Sequence, residues 1–101
     1  MYRIVDAEKR NASRPDTFQI PTQAERDKLS KDDSAKVIFE GDDGSAERMW
    51  LTVALVIPNP RRYLGIVDNT ALSSLLPKLG ESVTFEPRHV IDIELQNDRA
   101  N

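Results

Sequence analysis

The chain has 101 residues, of which 39% are hydrophobic and 31% charged, with a net charge of −3 and a pI of about 5.1. These values are typical of one globular domain and argue against a disordered chain or a strongly basic nucleic-acid-binding protein. The absence of cysteine excludes disulfides, thiolate metal sites and cysteine nucleophiles. No run of about 18 apolar residues and no apolar leader occur, so we expect a cytoplasmic protein without membrane contact.

The first 21 residues read as an arm with two short extended segments, residues 2–5 and 17–20, separated by a polar stretch. Thr22 then begins T-Q-A-E, a capping box in which Thr22 caps a helix and Glu25 reaches back. The helix that follows, about residues 23–29, is short and charged. We expect one domain over residues 1–101, with the arm 1–21 packed on a sheet and residues 96–101 forming a frayed tail.

Apolar residues alternate in the segments 35–40, 48–57, 61–67 and 82–86, which predicts four strands. In 48–57 the alternation places an aliphatic row on one face: Met49, Leu51, Val53, Leu55 and Ile57. Trp50, the only tryptophan, then shares the reverse face with Arg48, Thr52, Ala54 and Val56. Segments 48–57 and 61–67 are predicted to form a hairpin, with Tyr63, Gly65 and Val67 extending the face that carries Trp50. That apolar strip needs a cover, either the N-terminal arm or a partner, and we favour the arm.

The remaining segments complete the prediction. Asn69 or Thr70 is placed to cap a second short helix over residues 71–76. A last strand places His89, Ile91, Ile93 and Leu95 on one face. About five short strands with two short helices predict an α+β fold, mostly antiparallel, in which a small sheet is strongly curled or closed into a barrel.

From Glu47 onward the chain resembles a bacterial family catalogued as domain of unknown function 2314. The resemblance covers about half the chain and rests on ERMWLTV, YLGIVDN, KLGESVTF and VIDI, with the matching residues Glu47, Trp50, Leu51, Val53, Tyr63, Gly65, Asn69, Leu79, Gly80, Val83, Phe85, Ile91 and Asp92. Ile93-Glu94 stands where an aromatic residue often follows the aspartate. The family has no assigned activity, so the resemblance implies a grouping and no mechanism.

The catalytic chemistry that the sequence offers is sparse. His89 is the only histidine, so a histidine-rich metal site is excluded, and its strand pattern favours a structural role with one hydrogen-bond partner. As a functional alternative, His89 is a general base whose ordinary pKa is about 6.5. Asp92 is expected to face away from it, and no serine lies in a GxSxG elbow. We therefore predict no catalytic residues, no metal and no cofactor.

Three functions remain open from the sequence. The favoured one is a non-enzymatic protein-interaction module (an accessory, inhibitor or immunity-type protein) that binds a protein partner or forms a homodimer. The second is a small-ligand binder or minor enzyme using His89. The third is a weak nucleic-acid binder through Arg61, Arg62 and Tyr63, whose basic and aromatic groups could hold phosphate or stack a base. The candidate binding residues are Trp50, Arg61, Arg62, Tyr63 and His89.

Overall fold

Six strands and two short helices make up residues 1–96, the part of the chain that the computed structural model describes. In chain order the elements are β1 (Tyr2–Ile4), α1 (Ala7–Ser13), α2 (Gln23–Arg26), β2 (Ser34–Gly41), β3 (Ala46–Ile57), β4 (Arg62–Val67), β5 (Ser82–Phe85) and β6 (Asp92–Glu94). The strands pair antiparallel in the order β1-β2-β3-β4-β5, and β6 also pairs with β2. The sheet curls into a half-barrel, which confirms the predicted α+β antiparallel fold.

The inner face of the half-barrel holds the main core. Alternate residues of β2 to β5 point inward and are fully or almost fully buried: Ala35, Val37, Phe39, Met49, Leu51, Val53, Tyr63, Val67, Val83 and Phe85. Leu29, Leu76 and Val90, from the connecting segments, complete this cluster. Removing so many apolar side chains from water is the main stabilising contribution to the fold.

A β-bulge in β3 overturns half of the predicted alternation. The register of β3 with β4 shifts between Val53 and Leu55, so Ala54 is the additional residue. Because side chains alternate along a strand, one extra residue exchanges the two faces beyond it. Leu55 is consequently 54% exposed, whereas Val56 packs against the main core. The prediction that Leu55 and Ile57 share one face with Met49, Leu51 and Val53 was therefore wrong.

The side chains of β4 also point to the faces opposite to those predicted: Tyr63, Gly65 and Val67 do not share the face that carries Trp50. Gly65 pairs with Val53, and Tyr63 with Val56, so the odd-numbered residues of β4 point into the core. Gly65 permits the close approach of Phe85: a Cβ at this position would lie 2.8 Å from Phe85 Cε1. The strip predicted to join Trp50 with Tyr63, Gly65 and Val67 does not form.

One of the two predicted helices is misplaced. Residues 71–76 form turns, and the backbone amides of Leu72 and Ser73 donate to the Glu47 carboxylate at 2.9–3.0 Å. Asn69 accepts from the Trp50 amide instead of capping a helix. These external partners satisfy the amide groups that a helix would have to cap, so no helix is required.

The structure has a helix that was not predicted, α1, which lies in the polar stretch of the N-terminal arm. Asp6 is its N-cap and accepts from the Lys9 amide at 3.0 Å. The predicted capping box of α2 is confirmed, since Thr22 and Glu25 bond each other's backbone amides at 2.9–3.2 Å. α2 nevertheless ends at Arg26, before the predicted end.

The C-terminal strand is shorter than predicted. Residues 87–89 form a 3-10 turn, and β6 covers only Asp92–Glu94. The Gln96 amide donates to Asp33 Oδ1 at 2.9 Å, so the expected frayed tail does not begin there. Residues 97–101, the rest of that tail, lie outside the described residues. Among the helices of residues 1–96, none is both long and apolar enough to cross a membrane.

Candidate interaction surface

The N-terminal arm covers one half of the sheet's outer face. Val5, Ala7, Ile38 and Ile91 form a second buried cluster, and the half-buried side chains of Phe18 and Ile20 pack against it. Because α1 interrupts the arm, the segment after it returns over β1 and β2 and does not continue in an extended conformation. The expectation that the arm covers Trp50 was therefore wrong, because Phe18 and Ile20 pack against this second cluster instead.

Arg26 holds the arm in this position. Its side chain is 7% exposed, and it donates from Nε to the Pro21 carbonyl at 2.9 Å. Nη1 donates to Glu8 Oε2 at 2.5 Å and to the Pro87 carbonyl at 3.1 Å. The Arg26 carbonyl in turn accepts from the Tyr63 hydroxyl at 2.6 Å. One buried guanidinium thus joins α1, the arm and the 3-10 turn, and its backbone is bonded to the main core.

The other half of the outer face, over β3 and β4, carries an apolar strip. Its register follows from the bulge: Leu55 pairs with Leu64, and Thr52 pairs with Ile66. All members are half-buried or exposed, and together we name them the outer strip: Trp50, Leu55, Ile57, Leu64 and Ile66. Large apolar side chains grouped on a solvated sheet face are typical of a binding surface.

Trp50 lies at one end of the outer strip under a cation. The Lys36 ammonium lies 4.9 Å from the centroid of the indole, and Lys36 is the Cα partner of Trp50 on β2. The backbone amide of Trp50 donates to Asn69 Oδ1 at 2.5 Å. The cation–π contact orders the indole and leaves it half-buried, as is suitable for an anchor that a partner can cover.

Basic residues border the outer strip at both ends. Lys36 is the Cα partner of Trp50 on β2, and Arg48 precedes Trp50 by two residues on β3. Arg62 is the Cα partner of Ile57 at the other end. An apolar centre with a charged rim is the usual arrangement of a protein–protein interface, and arginine and tryptophan are enriched there.

His89 lies almost completely buried in the 3-10 turn. It is 8% exposed, and its Nδ1 accepts from the Glu86 amide at 2.9 Å. Burial, reinforced by the positive charge of Arg88, lowers the pKa of His89 below its ordinary value. The neutral imidazole is thus the favoured form, with one nitrogen already occupied by a backbone donor.

The arginine hairpin does not present the predicted aromatic surface. Tyr63 is fully buried, and its hydroxyl accepts from Arg61 Nε at 3.0 Å. Arg61 also donates to the Leu29 carbonyl at 3.0 Å, which connects the hairpin to the segment after α2. A buried ring is closed to a stacking base, and only Arg62 keeps a rim position.

Residues 1–96 bring together no group of three His, Asp or Glu side chains that could hold a metal ion. No family model, curated protein or solved structure matches the chain. The resemblance to the family of unknown function thus stays a prediction.

Of the candidate binding residues, Trp50 and Arg62 belong to the outer strip and its rim, and Tyr63 and His89 are buried. The sequence did not identify Leu55, Ile57, Leu64 and Ile66 as their neighbours. Gly65 was the available signal, because a glycine within a strand is typical of a bulge or a close approach. The bulge lies directly beside it, on the paired strand.

Proposed function

We propose that this protein is a non-enzymatic interaction module that binds a protein partner through the outer strip. The observation that carries the proposal is the exposed leucine at the bulge. Leu55 is 54% exposed at the centre of a row of apolar side chains on adjacent strands. Burying such a row against a partner would contribute the hydrophobic part of the binding free energy.

The partner chemistry follows from the rim. Cations flank both ends of the strip, namely Lys36 and Arg48 beside Trp50, and Arg62 beside Ile57. A partner surface with an apolar centre and carboxylates around it would complement this arrangement, whereas a second copy would bring cations towards cations. An acidic protein partner is therefore favoured over a homodimer, consistent with an accessory, inhibitor or immunity-type role.

The two other functions receive less support. An enzyme using His89 would need that side chain to reach a substrate, yet its Nδ1 is held by the Glu86 amide and its ring is buried. A nucleic-acid site on the hairpin would need Tyr63 for stacking, and Tyr63 lies in the core.

The test compares leucines of similar exposure inside and outside the outer strip. Affinity capture from the native cells first identifies a partner, and the purified pair is then titrated with variants. Leu55→Ser should weaken binding at least about tenfold, since a central apolar contact typically contributes about 1–2 kcal/mol. Leu79→Ser, at a position that is 62% exposed and off the strip, is the matched control and should stay within about twofold.

Equal loss of affinity in Leu55→Ser and Leu79→Ser, or no loss in either, would contradict the proposal. Sedimentation velocity of the protein alone separates the homodimer alternative. A concentration-dependent dimer that Leu55→Ser abolishes would assign the outer strip to a second copy.

A further inference from the structure

A groove of about 840 Å³ runs between α1 and the sheet, on the covered half of the outer face. One wall is the helix and the segment after it, and the other wall comes from β1, β2 and β3. The charged and hydroxyl-bearing residues that line it are Arg3, Asp6, Lys9, Arg10, Ser13, Arg14, Thr17, Glu40 and Arg48. Five cations therefore face two carboxylates, in a chain whose net charge is −3.

The two carboxylates are already engaged. Glu40 pairs with Arg3 at 3.2 Å and with Arg10 at 3.6 Å. Asp6 caps α1 and pairs at 3.1 Å with Arg88, which lies outside the groove.

Three cations remain for a ligand. Within residues 1–96, no carboxylate lies within 4.0 Å of the charged atoms of Lys9, Arg14 or Arg48. The groove therefore keeps an excess of positive charge that the described chain does not neutralise.

The sequence spacing explains why the cations meet. Residues 6, 9, 10 and 13 recur at intervals of three and four, which is the repeat of one face of α1 and its N-cap; Arg14 is the C-cap, and Thr17 lies in the turn that follows. α1 buries Ala7 against the sheet and turns this polar face towards the groove. A helix that needed only to cover the sheet would not require Lys9 and Arg10 on this face or Arg14 at its C-cap.

Phe18 orders one end of the groove. The guanidinium carbon of Arg10 lies 5.5 Å from the centroid of its ring, and that of Arg48 lies 5.9 Å from it. Stacking restricts the arginine side chains while leaving their N–H groups free to donate. Arg48 is thereby held at the junction of the helix wall and the sheet wall.

We propose that this groove binds a small phosphorylated ligand through Lys9, Arg14 and Arg48. Planar guanidinium groups match phosphate oxygens with paired N–H donors, and Ser13 and Thr17 offer hydroxyl donors in the same wall. The volume falls in the range of small-molecule sites, about 300–1,000 Å³. A nucleic acid would need a basic surface continuing beyond the groove, whereas Asp42 and Asp43 follow Glu40 at this edge of the sheet.

Calorimetric titration of the full chain tests the site at about 0.15 M ionic strength, where diffuse charge attraction is largely screened. Pyrophosphate is the first probe, and it should bind saturably with one site and a submillimolar Kd. Arg14→Gln and Arg48→Gln, both at exposed positions, should each weaken binding at least about tenfold. Arg62→Gln removes an equal charge outside the groove and should change the Kd less than about twofold.

Further probes separate the sources of the phosphate. Tighter binding of adenosine monophosphate than of pyrophosphate would indicate a nucleotide, and the reverse order would indicate an inorganic phosphate. Tighter binding of citrate than of either would overturn the phosphate assignment.

The absence of saturable binding by any phosphate probe would overturn the site itself. An equal loss in Arg62→Gln would also overturn it, because the attraction would then come from the overall charge distribution. Thermal melting of each variant shows that the loss of binding does not reflect unfolding.

Discussion

The two halves of the sheet's outer face differ in what lies over them. Over β1 and β2 the arm and α1 bury Ile38 to 4% exposure, whereas Leu55, over β3 and β4, is 54% exposed. Both positions carry an aliphatic side chain on the same face of one sheet. The comparison shows that the arm and α1 cover only one half of the outer face, and that apolar side chains on the other half stay exposed to solvent.

The largest expected effect is a loss of stability that should differ between the two halves when one aliphatic side chain in each is shortened to alanine. Ile38→Ala should lower the free energy of unfolding by about 3 kcal/mol, because it removes a buried side chain and leaves a cavity. Leu55→Ala should change it by less than about 0.5 kcal/mol, since that side chain remains in contact with water. Urea denaturation of both variants gives the two values. Equal losses would mean that both halves are covered.

The next effect concerns the residue that fixes the arm. Arg26→Gln should cost about 2–3 kcal/mol, because the carbonyls of Pro21 and Pro87 lose a buried donor. Glu8→Gln is the matched control and should cost less than about 1 kcal/mol, since the Glu8 side chain is 46% exposed and solvent screens the pair. Urea denaturation measures both changes. A loss in Glu8→Gln as large as in Arg26→Gln would assign the stabilisation to the ion pair instead.

Gly65→Ala probes the hairpin that presents the outer strip. A methyl group at this position would lie 2.8 Å from Phe85 Cε1 and 3.0 Å from Leu51 Cβ. Overpacking of this kind should cost about 1–2 kcal/mol. Gly44→Ala would meet no atom within 4 Å but has a positive φ of 85°, so it controls for backbone strain alone. A Gly65→Ala variant that melts at the same temperature as the unchanged protein would contradict the close packing of β4 on Phe85.

The smallest expected effect is a pH dependence of the free energy of unfolding, caused by His89 on the covered half. The pKa of His89 is lowered by burial first and by Arg88 next, so protonation favours the unfolded state. The stabilisation is complete above about pH 6.5, the ordinary pKa of histidine, and is lost as the pH falls towards the lower value in the folded state. The binding of one proton changes the free energy of unfolding by at most about 1.4 kcal/mol per pH unit.

His89→Gln should cost about 1 kcal/mol at pH 7 and should flatten the stability profile between pH 6.5 and 5. Asp6 and Glu86 face the same region, and the pKa of each carboxyl is also lowered. For Asp6, burial alone would raise the pKa, but the hydrogen bonds from the Lys9 amide and from Arg88 outweigh it. For Glu86, the hydrogen bond from Arg88 is the main cause of the lowered pKa. Their contributions disappear only below about pH 4.5, outside the histidine range. An unchanged profile in His89→Gln would contradict the assignment.

The sequence predicted the fold class because alternation and turn residues are local signals. The strands around Val37, Phe39, Val83 and Phe85 and the capping box at Thr22 depend on neighbouring residues alone. These predictions are confirmed.

The composition of the site was not predictable in the same way. One bulged residue, Ala54, exchanges the faces of Leu55 and Ile57, and a two-fold alternation carries no information about an insertion. α1 was missed because its sequence, AEKRNAS, has little apolar periodicity. The Asp6 cap is a local interaction, but the burial of Ala7 on the sheet is a tertiary contact that the local sequence does not show.

The accessibility of Trp50 tests the central claim most directly, because the only tryptophan lies at one end of the outer strip. Acrylamide, a neutral quencher, is titrated against the fluorescence of the dilute protein, alone and saturated with its partner. The open half of the outer face predicts that the half-buried indole is quenched in the free monomer and shielded in the complex. An indole already shielded in the free monomer, or quenched equally in the complex, would contradict the assignment of the outer strip as the binding surface.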